Sequence, residues 1–461
     1  MNRSLPILFA CCLPLFGAEE KPFLELRQGE NFFRLDGTPR LVLGRNPTAV
    51  SPAAFVEHFQ NAAAAGEKFM RIHFCYMPPN EKPGELHPDI LKFWDAALDA
   101  AEKNHLAVMP VCGVWADWND GSKAETWHAW DKNPFNAALG GPARSPAELF
   151  EDGACRALWM KRLDALVRHW QDRRCIVAWE IFSELGLLTG SSEAKGVAFA
   201  EAAAKVIRSA DRAKRPVTCS LAGANEWPAL FKSDAVELVP VHPYGEPKQG
   251  DLDDLILRKV RERLAAYGKP VLIGECGLDW RPPRGTLDVS ARAPIGIRHA
   301  VWAAVVSGAL NARMLWWQDG YDQFEKADLC RHYQKIAASA AQFVREIDYS
   351  GLAPVKCSTS PGLYGAMLGS APDSPGQGKT IVAWFRDIRC IAPHWPTDPT
   401  AAQWVTLPAR EGTWTVELVD PEFGTVIEAK QSKTDAAKLR VDLPEFRGSV
   451  GVRARWSEPQ P

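Results

Sequence analysis

Between residues 41 and 317 short apolar runs alternate with longer amphipathic stretches, and that alternation leaves few architectures open. The apolar runs are Leu41–Gly44, Phe69–Phe74, Ala107–Val111, Ile176–Ile181, Val217–Leu221, Leu238–Val241, Val271–Gly274 and Ala312–Trp317. Helical spacing of apolar residues lies between them, at Pro52–Ala65, Pro88–Asn104, Cys155–Gln171, Ala194–Ala213, Asp253–Tyr267 and Ile295–Gly308. Strand–helix units repeated in this way over about 300 residues predict an α/β fold, a (β/α)8 TIM barrel. A doubly wound open sheet would show the same alternation. It is disfavoured because no GxGxxG or phosphate-cradling Gly loop follows any strand.

The barrel is expected to occupy residues 22–345. Ahead of its first strand, Phe23–Leu26 and Phe32–Arg34 flank Gly29-Glu30, and Asp36-Gly37 follow. These turn residues predict a small hairpin capping the bottom of the barrel. Beyond Ile347 the helical periodicity stops. A Pro, Gly and Ser loop (Ser360–Gly378) precedes strand-like runs at Thr380–Phe385, Gln403–Leu407, Gly412–Val419, Thr425–Ala429, Lys438–Leu443 and Ser449–Ala454. Short strands with turn signals between them predict a small all-β sandwich over residues 347–461. Trp384, Trp395, Trp404, Trp414 and Trp456 in this part are read as core and interdomain packing rather than as a sugar-binding face.

Residues 1–18 read as a signal peptide: Arg3, an apolar stretch from Leu5 to Phe16, then Gly17-Ala18 before Glu19-Glu20. The run is too short to span a bilayer, and no later segment is apolar enough to do so. Export to the periplasm or the exterior is therefore expected. Leu8-Phe9-Ala10-Cys11 offers the alternative of a lipoprotein with Cys11 lipidated. Nine cysteines follow Cys11 and Cys12, an odd number, so at least one thiol is unpaired. Cys75, Cys112, Cys219 and Cys276 sit in apolar runs and read as buried. Any disulfide would fall among Cys155, Cys175, Cys330, Cys357 and Cys390. No Cys/His spacing suggests zinc, and no metal or cofactor is expected.

A net charge of −2 argues against a nucleic-acid partner, which calls for a clustered basic surface. The chain carries 18 Trp against 7 Tyr. Indole rings either pack a large core or stack on flat apolar faces such as those of sugars.

The informative residues sit at strand ends. In Ile176-Val-Ala-Trp-Glu-Ile-Phe-Ser-Glu184 the period of two places Glu180, Phe182 and Glu184 on one strand face, with Glu184 at the C-terminal end, where barrel active sites are built. Lys269-Pro-Val-Leu-Ile-Gly-Glu275 is an apolar strand ending in a second carboxylate, and His242-Pro243-Tyr244 closes another. A carboxylate beside a buried strand is costly to desolvate, so it asks for a partner or a function. Two of them, on strands four and seven, would face each other across the barrel mouth. Paired carboxylates about 5–5.5 Å apart suit a retaining glycosidase: one protonates the leaving oxygen while the other attacks the anomeric carbon.

Taken together, these motifs resemble glycoside hydrolase family 5, the cellulase-type (β/α)8 retaining hydrolases, over roughly residues 22–345. The resemblance implies Glu184 as acid/base and Glu275 as nucleophile. It implies substrate-binding roles for His242 and for Tyr244, which would hydrogen-bond the nucleophile. Arg71, in FMRIHF, falls at the family's strand-two arginine, close to the nucleophile. That cation would hold Glu275 ionised, and the more apolar setting of Glu184 would raise its pKa. Trp317, with Trp316 as the alternative, would floor the cleaving subsite. The sequence departs from the family at Ser183, where an Asn ordinarily holds the sugar's 2-hydroxyl. This leaves the identity of the sugar open.

The long segment Val114–Pro142 carries Trp115, Trp118, Trp127 and Trp130 among Asp117, Asn133 and Asn136. These rings are read as substrate-stacking plates or as the core of a self-packed lid. Asp279-Trp280 and Asp319, Tyr321 and Asp322 suggest further rim loops, and Glu180 reads as a barrel-interior partner of Arg71. The expected partner is a β-linked poly- or oligosaccharide. The competing expectations are a barrel that binds carbohydrate without turnover and a transglycosylase using the same residues.

Overall fold

The computed structural model describes residues 22–47, 52–78, 80–121, 129–223, 225–245, 251–279, 290–320, 327–370 and 378–457. The export signal and Cys11, together with Trp127, Trp280, Tyr321 and Asp322, lie outside the described residues. The chain enters through a hairpin of β1 (Phe33–Leu35) and β2 (Thr38–Arg40), turned at Asp36-Gly37 with φ of 51° and 81°. The earlier arm around Gly29 contributes only a bridge, Glu25 to Arg34. Phe33 then meets Phe69 with ring centroids 5.6 Å apart, which seats the hairpin under the barrel.

Eight strands form the barrel: β3 (Val42–Arg45), β4 (Phe69–His73), β5 (Ala107–Val111), β6 (Trp179–Glu180), β7 (Val217–Thr218), β8 (Val239–Val241), β9 (Val271–Ile273) and β10 (Asn311–Arg313). One parallel sheet runs in the order β10-β3-β4-β5-β6-β7, and β8 pairs in parallel with β9. The ring closes through Glu237 N–H to Val217 O (2.8 Å) and Leu310 N–H to Val271 O (2.9 Å). Helices α1 (Pro52–Ala64), α2 (Pro88–Lys103), α3 (Ala154–Trp170), α4 (Glu193–Ala210), α5 (Pro228–Lys232), α6 (Leu252–Tyr267), α7 (Ala293–Val305), α8 (Trp317–Gly320) and α9 (Ala327–Val344) fill the connections. α2 shows why they form. Pro88 opens it, Asp89 and Lys103 complement its dipole, and Trp94, Ala97, Leu98 and Ala101 make its buried face.

Several strands are shorter than their apolar runs, and two of these bear on the site. The fourth keeps only Trp179–Glu180 as ladder, because its contacts to the third strand are scattered: Val177 N–H to Val108 O (3.0 Å) and Ser183 N–H to Gly113 O (2.7 Å). The eighth stops at Arg313, since Arg313 and Met314 both take positive φ, 74° and 68°. Among the described residues no helix is long and apolar enough to cross a membrane. All nine cysteines from Cys75 onward are free thiols, eight of them buried.

From Leu352 the chain is β-structure. A six-stranded antiparallel sheet packs against a three-stranded one around Met367, Phe385, Val405, Trp414, Val441 and Val452. Trp384 and Trp395 join the barrel's core cluster, and Arg386 donates to Asp253 of α6 at 2.5 Å. From the barrel side, Trp302 of α7 is fully buried against Gly451, where a Cβ would lie 2.4 Å from the indole. Trp302→Ala should therefore destabilise the protein by about 3–5 kcal/mol in equilibrium urea denaturation. A loss below about 1 kcal/mol would show that this seam carries little of the stability.

Candidate active site

Alternation along β4 turns Phe69, Arg71 and His73 to one face. Arg71 is fully buried inside the barrel, where an unpaired guanidinium would be prohibitively expensive. Glu180 of β6 pairs with it in fork geometry, Nε to Oε2 at 2.6 Å and Nη2 to Oε1 at 2.9 Å. Nη1 donates to Glu275 Oε1 (2.9 Å) and Asn46 Oδ1 (3.3 Å), and Nη2 also donates to Ser183 Oγ (2.8 Å).

Glu184 follows the fourth strand in the left-handed region, φ 58° and ψ 45°. Its N–H donates to Ser220 Oγ (3.0 Å), and the Ser220 hydroxyl donates onward to Glu180 Oε1 (2.7 Å). Glu184 Oε1 lies 3.0 Å from His242 Nδ1, and the Trp115 indole N–H hydrogen-bonds the same carboxyl group. Burial pushes the Glu184 pKa up to about 7; Glu180 pushes the same way, while Arg71 and Trp115 oppose it. Burial also drives His242 down to about 4, so the ring is neutral near pH 7. Among the described residues its Nε2 has no partner. A bare lone pair costs less to bury than an orphaned N–H, so the proton sits on Nδ1 and is donated towards Glu184.

Glu275 follows β9. Its Oε1 accepts from Arg71, and its Oε2 accepts from the Tyr244 hydroxyl at 2.8 Å. Burial is the largest influence on Glu275 and pushes its pKa up, with Glu184 adding to it and Arg71 and Tyr244 opposing. The cation alone therefore does not decide its charge. Glu184 also has two donors, His242 and Trp115, but both are neutral, whereas the guanidinium bonded directly to Glu275 favours the carboxylate form there over that at Glu184. Burial beside Glu275 keeps the Tyr244 hydroxyl protonated, as a donor.

Six predicted residues thus converge: Arg71, Ser183, Glu184, His242, Tyr244 and Glu275, with Trp115 against Glu184. Trp118 and Trp130 do not join them. They are 1% and 7% exposed and stack on each other at 5.5 Å, with Phe135 at 5.4 Å from Trp118. The expectation of sugar-stacking plates is corrected for these two rings, because their faces are used up inside the lid's own core. Trp317 is half-buried and donates its indole N–H to Asp279 O (3.1 Å); Trp316 lies edge-on to His73 at 5.1 Å. Sequence reasoning missed Asn46 and Ser220. Their only signal is a small polar residue at the C-terminal end of an apolar run.

Glu184, His242 and Glu275 offer donor atoms within 4.8 Å of one another, the spacing of a cation site. The donor set fits hydrogen bonding better. The His242 Nδ1 proton, the Arg71 guanidinium and the Tyr244 hydroxyl already point at those oxygens.

No protein-family model matches the sequence, and no curated protein matches it. Solved structures do. A family 5 glycoside hydrolase from Bacteroides vulgatus aligns over 96% of both chains with a TM-score of 0.63 at 10% identity. Its fold is that of the family 5 glycoside hydrolases. A protein described as a glycoside hydrolase aligns over 96% of this chain and 100% of its own, with a TM-score of 0.62 at 12% identity. An endo-1,4-β-mannanase from Rhizomucor miehei reaches 0.50 at 13% identity, over 64% of this chain and 90% of its own. At such identities the likeness is one of fold.

The raised pKa of Glu184 has a consequence for stability. The folded state holds this proton more tightly than the unfolded chain does, so the contribution is full below pH 4.5 and is lost as pH rises through about 7. A Gln at this position does not titrate. Glu184→Gln should match wild type in urea denaturation near pH 4. At pH 8 it should be the more stable by about 3 kcal/mol, the equivalent of raising 4.5 to about 7.

Proposed function

We propose that this chain is an exported retaining glycoside hydrolase that cleaves β-glycosidic bonds of poly- or oligosaccharides by double displacement. The observation that carries the reading is the pair Glu184 and Glu275. A carboxylate oxygen of each lies within 4.8 Å of the other, in buried surroundings that treat the two differently. That separation accords with retention, since inversion needs about 6.5–9.5 Å to admit a water.

In the first step Glu275 attacks the anomeric carbon while Glu184 gives its proton to the departing glycosidic oxygen. The bond to the leaving group breaks and a glycosyl ester forms on Glu275. In the second step Glu184, now a carboxylate, takes a proton from water, and the water oxygen displaces Glu275 from the anomeric carbon with net retention. Esterification removes a negative charge next to Glu184, which lowers its proton affinity and suits its change from acid to base. Arg71 and the Tyr244 hydroxyl hold the attacking carboxylate in place. Ser183 Oγ already accepts from Arg71, so its own proton is available to the sugar's C2 oxygen. Trp115, Trp316 and Trp317 would meet the sugar faces, and the N-terminal signal would take the enzyme to an external substrate.

The test uses 2-fluoroglycosides of glucose, mannose, xylose and galactose. One of them should add a single glycosyl mass at Glu275, found by peptide mass spectrometry. Glu184→Gln and Glu275→Gln should each lose about 10²–10⁴-fold or more in kcat on the matching polysaccharide. No label and no hydrolysis across the panel would favour the binding barrel. Longer products at high substrate concentration would favour transglycosylation.

A further inference from the structure

Glu180 has no part in the two steps above, yet it is buried and fully paired between the two glutamates that do. Its side chain is 1% exposed, and both oxygens are taken, by the Arg71 fork and by the Ser220 hydroxyl. It is out of reach of a substrate. What it touches runs in two directions. Through Arg71 it reaches Glu275. Through Ser220, which donates to Glu180 and accepts from the Glu184 N–H, it reaches the backbone on which Glu184 is held in its left-handed conformation.

The balance of charge in this pocket gives the arrangement a purpose. Among the described residues, the elements around Glu184 bring polar or charged groups: Arg71 from β4, Trp115 after β5, Glu180 on its own strand, Ser220 after β7, His242 and Tyr244 after β8, and Glu275 after β9. His242 is neutral and Tyr244 is protonated, so the formal charges are those of Arg71, Glu180 and Glu275. With both carboxylates ionised the pocket carries one excess negative charge, and ionising Glu184 would add a second. Without Glu180, Arg71 and Glu275 would cancel, and an ionised Glu184 would sit beside an unopposed share of the guanidinium.

We propose that Glu180 is a positioning residue for Glu184: its charge, spent on Arg71, adds to burial in holding the proton on the Glu184 carboxyl in the resting site, and its bond to Ser220 fixes the backbone that aims it. The inference rests on the acid/base reading of Glu184 for its catalytic meaning. The proton affinity it concerns can be measured without any turnover.

The experiment is a ¹³C NMR titration of the full chain labelled at the glutamate carboxyl carbons, with the Glu184 resonance assigned by its absence in Glu184→Gln. Glu180→Gln keeps the volume and one acceptor oxygen. It should lower the Glu184 midpoint by about one unit or more. Glu180→Asp keeps the charge and should stay within about 0.3 units of wild type. A midpoint that does not fall in folded Glu180→Gln, or that falls equally in Glu180→Asp, overturns the charge argument. On an aryl glycoside the high-pH limb of kcat/KM should move with the midpoint in Glu180→Gln. Ser220→Ala should lower kcat about tenfold or more with that limb unmoved, and an unchanged kcat would overturn the backbone argument. Should the glycosidase reading itself be wrong, no variant turns over any substrate, while the NMR shift still appears.

Discussion

Arg71 has five N–H donors, and inside the barrel every one of them finds an acceptor: two on Glu180 and one each on Glu275, Asn46 and Ser183. Removing a guanidinium from water costs several kcal/mol, and a single ion pair in the interior does not reliably recover it. The pocket recovers it by convergence. A barrel brings the ends of its first, second, fourth and seventh strands to one point: the second supplies Arg71, and the other three supply the acceptors. The nucleophile candidate is thus a by-product of a solvation problem as much as its purpose. Glu275 is held because Arg71 needs it, and Arg71 is tolerated because Glu180 and Glu275 are there.

That logic explains which parts of the site could be read in the sequence. Alternating apolar and amphipathic stretches give the barrel, because strand and helix periodicities are local properties. Glu184 and Glu275 stand out because a carboxylate at the end of an apolar strand is locally anomalous, whereas Arg71, in mid-strand, is reached only through the resemblance of FMRIHF to the family's strand-two arginine. Asn46 and Ser220 do not. A small polar residue after a strand is ordinary, and it gains meaning only from Arg71 or Glu184, far away in sequence. The lid tryptophans fail differently. Trp118 and Trp130 have a composition that suits sugar stacking, but nothing local tells an indole face turned to solvent from one covered by its neighbour. The left-handed conformation of Glu184 was equally invisible, since its support comes from a serine 36 positions further on.

The same closeness that makes the pair chemically useful makes it costly to the fold. Burial pushes both carboxyl groups up, and the left-handed backbone at Glu184 adds about 1–3 kcal/mol of strain of its own. Such costs have to be offset by structure that is not part of the site. Trp302, Trp384 and Trp395 bury large apolar surfaces where the sandwich meets the barrel, and Arg386 adds ionic bonds to Asp251 and Asp253 at the start of α6. That helix follows the strand carrying His242 and Tyr244. The sandwich therefore braces an element next to the candidate site, whatever other role its outer face has.

A second buried network sits beside the first and makes it rigid. Arg45 pairs with Glu67 and Arg313 with Asp319, all of them nearly fully buried. The two networks meet at Asn46. Its N–H donates to Asp319, its side-chain amide donates to Gly274 O (3.0 Å) and Met314 O (3.1 Å), and its carbonyl accepts from Arg71. Met314 presents that oxygen only because it and Arg313 have positive φ, a conformation that ordinary side chains avoid. The unusual turn at the end of the eighth strand is therefore coupled to the guanidinium that holds Glu275. It also sets where the chain leaves for Trp316 and Trp317. Hydrophobic packing alone would let such a rim shift by small increments. Directional bonds to buried charges do not, because a displaced donor leaves an unpaired group in a low-dielectric interior. The site is thus positioned by the groups that were hardest to bury.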